Sequence, residues 1–218
     1  MARKIGAIKT FASLWQDHEN LYYSIFHSAL EQLILSNKQK KHEDAISEAL
    51  CPVLNKICFE HDLDVKIPAW EQPIPPAEPE DFKGGNFGKR PDFTCSLTNS
   101  MATIAKMYTI PFHVECKRLG KTPGSPNLNK NYVINGIKRF DIKSHEYGKL
   151  APSGMMVGYI VNMEPDLIIA KVNKYLPKDF PELNIDFSEK VVSCEQKLSR
   201  KNVKPKKFKL FHIWTDLR

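Results

Sequence analysis

Arg90-Pro91-Asp92-Phe93-Thr94-Cys95-Ser96-Leu97 and, further along, Pro111-Phe112-His113-Val114-Glu115-Cys116-Lys117-Arg118-Leu119 are the two stretches on which the fold turns. Both alternate. In the first, Asp92, Thr94 and Ser96 fall on one side and Phe93, Cys95 and Leu97 on the other. In the second, His113, Glu115 and Lys117 oppose Phe112, Val114 and Cys116. Successive side chains of an extended chain point to opposite faces, so a period of two predicts a pair of neighbouring strands, each with one apolar face. If both apolar faces lie on the same core, Asp92, Glu115 and Lys117 meet on a single polar face.

The flanking sequence supplies helices. Residues 12–36 hold no Gly or Pro and several aromatics, which predicts an N-terminal helix. A second helix is expected over 42–60, where Ile46, Leu50, Val53, Leu54 and Ile57 form one stripe, with Pro52 bending or dividing it. Residues 68–91 carry prolines 68, 73, 75, 76, 79 and 91 and glycines 84, 85 and 88, the composition of a loop. After the Glu115 strand come a polar loop (Gly120 to Asn131), a helix at about 131–146, a strand at 155–162, a helix at Asp166–Leu176 and a closing strand at Phe208–Leu217. The expected class is α/β (α+β), a mixed β-sheet flanked by helices. Residues 1–41 form an N-terminal helical extension and 42–218 the main domain.

Two carboxylates and an ammonium at one point call for a reason, and a divalent metal is a physical one. Mg²⁺ takes oxygen ligands, keeps several waters and needs only one or two carboxylates plus a phosphate oxygen. It polarises a phosphodiester and activates water, while a nearby lysine positions that water or offsets developing negative charge. Pro91-Asp92, followed by Glu115-Cys116-Lys117 on an alternating strand, resembles the PD-(D/E)xK nuclease superfamily, the restriction-endonuclease-like enzymes. The order of elements from about residue 42 to 162 is similar to theirs.

The resemblance implies a restriction-endonuclease-like core, Asp92 and Glu115 as metal ligands, Lys117 as the catalytic lysine, and the Cys116 backbone carbonyl as a further ligand. It implies Mg²⁺ as cofactor, with Mn²⁺ able to substitute, and hydrolysis of DNA rather than RNA, in host defence or mobile-element biology. Many relatives add a carboxylate from the helix before the first strand. At about 100° per residue, Glu43 falls beside the apolar stripe of that helix whereas Asp44 and Glu48 face away. Glu43 is therefore the candidate third carboxylate, although a glutamate there also complements the helix dipole. Arg139 and Lys138, on the helix that borders the active site in the resembled family, are candidates to hold a phosphate. Arg118 and Lys121 join them as candidate nucleic-acid contacts.

Charge is segregated along the chain. The net +7 of the 218 residues divides into −5 over 1–82, +8 over 83–149, −3 over 150–196 and +7 over 197–218. Clustered Lys and Arg gain affinity for phosphates by releasing condensed counterions, so two basic zones favour a polyanion partner. The basic segment 197–209, with Lys197, Arg200, Lys201, Lys204, Lys206, Lys207 and Lys209, also reads as a solvated loop.

No apolar run approaches the roughly 18 residues of a membrane span, and the basic N-terminus lacks the apolar stretch of a secretory signal. Five scattered cysteines without CxxC spacing fit reduced thiols, and the expected compartment is the cytoplasm. The aromatic helix (Trp15, Tyr22, Phe26) is a candidate for homodimerisation or for docking another subunit, and the same residues would equally complete the core. The alternative function is a non-catalytic nucleic-acid-binding or protein-interaction subunit of a larger complex. Gly84-Gly85-Asn86-Phe87-Gly88 runs into Lys-Arg-Pro, which excludes a dinucleotide fingerprint because no helix opens there.

Overall fold

The computed structural model describes residues 10–35, 42–61, 65–74, 88–121 and 127–218. Residues 75–87 of the expected Pro/Gly-rich loop, 122–126 of the second loop, and 1–9 and 36–41 of the expected extension lie outside the described residues. The elements run α1 (Phe11–Leu35), α2 (Glu43–His61), β1 (Ala69–Trp70), β2 (Phe93–Thr98), β3 (Thr109–Leu119), α3 (Leu128–Ile134), β4 (Ser153–Ile160), α4 (Pro165–Tyr175), β5 (Val191–Ser199) and β6 (Lys207–Asp216).

The strands form one mixed sheet in the order β1-β2-β3-β4-β6-β5. Pairs β3–β4 and β4–β6 are parallel and the rest antiparallel. Central β4, Ser-Gly-Met-Met-Val-Gly-Tyr-Ile, is buried at every position. A near-continuous apolar run of this kind belongs to a strand covered on both faces. The two covers are distinct. Phe93, Cys95, Phe112, Val114, Cys116 and Val157 pack against α1 and α2, while Leu119, Met156, Ile160, Leu210 and Trp214 pack against α3 and α4.

Helix α1 belongs to the first of these layers. Its Trp15, Tyr22, Ile25, Phe26, Ala29 and Leu30 are buried in the same cluster as the sheet residues. The aromatic face considered for a partner is thus covered within the chain. No helix among the described residues is long and apolar enough to cross a membrane, and all five cysteines are free thiols.

Three local readings differ from expectation. The helix expected at 131–146 is α3, ending at Ile134, followed by a separate 3-10 turn over Ile137–Asp141. Asn127 caps it early, its side chain accepting the Lys130 N–H at 3.1 Å. Gly136 divides the two, since a Cβ there would collide with the Tyr132 carbonyl and the Met156 side chain. Residues 191–199, not read as a strand, form β5, paired throughout with β6. Its edge position leaves Glu195, Lys197 and Ser199 exposed while Gln196 and Leu198 are buried, which blurs the apolar signal. Finally, Arg200 is no solvated loop residue: it is 2% exposed.

Candidate active site

The ladder between β2 and β3 pairs Phe93 with Val114, so one step further sets Asp92 against Glu115. Asp92 Oδ2 accepts the Cys116 backbone N–H at 2.5 Å, which ties the end of β2 across to β3. Lys117, two residues beyond Glu115 and therefore on the same face, places Nζ 2.8 Å from Glu115 Oε1 and 3.9 Å from Asp92 Oδ2. Glu43, the first residue of α2, arrives from the other layer. Its Oε1 accepts from Lys117 Nζ at 2.7 Å and its Oε2 accepts the Arg118 backbone N–H at 3.0 Å. Three separate elements thus bring Glu43, Asp92, Glu115 and Lys117 to one point.

The Cys116 carbonyl lies in the same cluster, accepting from Lys117 Nζ at 2.7 Å. Arg139, on the 3-10 turn, donates through a single guanidinium nitrogen to Glu115 Oε1. The remaining candidates lie apart. Alternation along β3 sends the Arg118 side chain to the opposite face from Glu115 and Lys117. Lys121 is exposed beyond the end of β3, with its backbone N–H and carbonyl both bonded to the Asn162 side chain. Among the described residues no hydrogen bond or ion pair joins Lys138 to the carboxylates.

Two residues of the rim escaped the sequence reading. Tyr147 holds its ring under the Arg139 guanidinium, 5.9 Å from the centroid, and His145 packs edge-on against Tyr147. The expected helix through residue 146 hid them; the run Ser144-His145-Glu146-Tyr147-Gly148 after Gly136 is the signal that marks a loop instead. Burial, with Arg139 and Lys89 adding to it, holds the His145 imidazole down to about 4. A buried clasp fixes this segment. Arg200 donates to the carbonyls of Phe140, Tyr147 and Gly148 at 3.0–3.2 Å, and Asp141 accepts the backbone N–H groups of Lys201, Asn202 and Val203. His113, on the same face of β3 as Glu115 and Lys117, is a wall residue: its Nδ1 accepts the Gly148 N–H, and burial drives its pKa down to about 3.

The electrostatics are uneven. Glu115 is 0% exposed and its Oε2 has no hydrogen-bond partner. Burial pushes its carboxyl up to about 8, with Asp92 adding and Lys117 and Arg139 opposing. Burial also raises Asp92 against the pull of Lys117. Lys117 would be lowered by its own burial, but Glu115, Asp92 and Glu43 outweigh that and hold it charged. Three carboxylates thus face two cations, with one buried oxygen unsatisfied. A hard divalent cation fits that donor set: carboxylate oxygens of Asp92 and Glu115, the Cys116 carbonyl, and water. Among the described residues no three His, Cys, Asp or Glu side chains form a ready-made metal cage, and the Lys117 ammonium pairs with both Glu43 and Glu115.

No family model, curated protein or solved structure is similar to this chain at a significant level. The cluster therefore has to be read from its own chemistry.

Proposed function

We propose that the protein is a Mg²⁺-dependent endonuclease with a restriction-endonuclease-like core, acting on DNA. The observation that carries the reading is the meeting of Asp92, Glu115 and Lys117 with Glu43, in which Glu115 Oε1 takes both cations and its buried Oε2 has no partner. An unsatisfied buried carboxylate is costly unless a cation completes it. Asp92, Glu115 and the Cys116 carbonyl would hold the ion, which when bound polarises the phosphodiester and lowers the pKa of its water.

The chain's own residues divide the remaining tasks. Lys117, kept protonated by its carboxylates, orients the attacking water and offsets charge on the phosphorane oxygens. Glu43 holds Lys117 in place and stiffens β3 through the Arg118 N–H. Arg139 and Lys89 make the rim cationic and draw the phosphate backbone to the cluster.

A second reading has its own support: Lys117 lies among three carboxylates as it would in a purely structural ion-pair cluster of a nucleic-acid-binding subunit. The deciding experiment is cleavage of supercoiled plasmid and single-stranded DNA with Mg²⁺, Mn²⁺ or EDTA, for wild type, Asp92→Ala and Lys117→Ala. Metal-dependent nicking lost in both variants supports the nuclease. Absence of cleavage, with salt-sensitive DNA binding kept by folded variants, supports the binding subunit.

A further inference from the structure

Glu115 receives two cations on one oxygen, and they are held very differently. Lys117 is 7% exposed at its side chain and is also bound by Glu43 and the Cys116 carbonyl. Arg139 is 26% exposed and reaches Glu115 through one nitrogen, with the Tyr147 ring as its other support. The charges of Arg139 and Lys89 both act on His145, so a second cation, Lys89, lies in the same neighbourhood, while the His145 imidazole itself is held neutral. Arg139 thus stands at a boundary, with three carboxylates around Lys117 on the inside and the neutral His145 with the Lys89 cation beside it. A guanidinium is also the side chain best shaped to grip a phosphate through paired N–H groups.

We infer that Arg139 is an exchangeable counterion, seated on Glu115 when no metal is bound and displaced from it by a divalent cation toward the phosphate of the nucleic acid. The inference rests on the metal site proposed above. A dication at Glu115 and Asp92 repels the guanidinium, because like charges at this range in a partly buried site interact strongly. Freed from Glu115, Arg139 stays near the rim through Tyr147 and faces the substrate side. Metal and phosphate then favour each other's binding by the same factor, as linkage requires. Without metal, Arg139 is tied to Glu115 and the clamp is withheld from nucleic acid.

Mn²⁺ binding to the full chain without nucleic acid, followed by calorimetry and by the electron paramagnetic resonance of the free ion, tests this directly. Arg139→Gln removes the competing charge, so Mn²⁺ binds about tenfold tighter, the scale of an ordinary coupling between sites. Arg139→Lys keeps the charge and stays near wild type. A role in packing alone predicts the reverse, since a loosened site binds metal less well. In the wild-type chain, which needs no substitution to fold, saturating Mg²⁺ shifts and broadens the Arg139 guanidinium N–H resonances as the group leaves Glu115 and exchanges with water.

Equal or weaker Mn²⁺ affinity in folded Arg139→Gln, or an Arg139 resonance unchanged at saturating Mg²⁺, overturns the exchange. If Asp92→Ala still abolishes Mn²⁺ binding in that case, the metal site stands without it. If neither wild type nor Arg139→Gln binds Mn²⁺, the exchange and the metal-dependent nuclease fall together.

Discussion

Two buried glutamates sit in this molecule with lysines beside them, and they are opposite in kind. Glu19 of α1 is 2% exposed, and both its oxygens are used. Oε2 accepts from Ser153 Oγ at 2.6 Å, Oε1 lies at 2.5 Å from Lys209 Nζ, and Ser153 in turn accepts from Trp15 Nε1 at 2.8 Å. One carboxylate faces one close cation, and the whole pins α1 to β4 and β6. Glu115 has one oxygen shared by two cations, the other without a partner, and two more carboxylates alongside. A closed, balanced network serves the fold, because fully satisfied buried charge gives a single arrangement. An open, unbalanced one costs stability and is retained where a ligand completes it.

The contrast is tested most severely by matched substitutions. On the proposed nuclease reading, Glu115→Gln is expected to lower metal-dependent cleavage by about 10³-fold, the several kcal/mol that a lost metal ligand represents, while the melting temperature stays close to wild type. Plasmid nicking and thermal melting together decide it; a sharp fall in melting temperature with cleavage retained would reverse the two roles. Glu19→Ala is expected to do the opposite. Removing one partner of a buried pair costs about 3–5 kcal/mol, and the low end applies here since Lys209 is partly exposed. Urea denaturation measures that loss, and cleavage per folded molecule is unchanged.

Acid provides a third contrast. His212, on β6, is fully buried between the Tyr132 hydroxyl and the Gln196 amide, and burial depresses its pKa from 6.5 to about 3. Between those values the unfolded chain binds the proton and the folded chain does not. The neutral ring's contribution is therefore complete above pH 6.5 and is lost as pH falls toward 3, with a slope of up to about 1.4 kcal/mol per pH unit. Urea midpoints at pH 7 and pH 5 show this slope, and His212→Gln removes its share while that of His113, equally depressed by burial, remains. Smallest is the effect of an exposed pair. Lys56 and Glu60 sit one helical turn apart at 3.7 Å with more than half of each side chain in water. Lys56→Ala is expected to change stability by less than about 0.5 kcal/mol in the same titration.

Much of this was legible in the residues, and the parts that were not share a cause. The two-residue period of Asp92–Leu97 and Pro111–Leu119 set strand, face and pairing, and the helical phase of Glu43 beside Ile46 and Leu50 set its direction toward the sheet. Those signals are local, written in side chains that alternate about one backbone. Edge strand β5 was hidden because one side of it meets water and its polar positions look like loop. Arg200 was hidden more deeply. Its charge predicts solvent, yet four backbone carbonyls and the Phe208 ring enclose it, and no sequence period reports carbonyls donated from residues 140, 147, 148 and 205.

The sequence by itself determined the alternating strands, the apolar helix faces, the charge segregation, and which carboxylates and lysine share a face. Each follows from backbone geometry acting over a few residues. Only the tertiary structure decided that Glu115 Oε2 is left without a partner, that Arg139 rather than Lys138 turns to Glu115 Oε1, and that Tyr147 and His145 form the rim. Those outcomes depend on how Gly136 ends α3 and how the Arg200 and Asp141 clasp holds residues 137–148 against β3. They are set by packing between segments distant in the chain, where distance and desolvation rather than residue type fix what a charge meets.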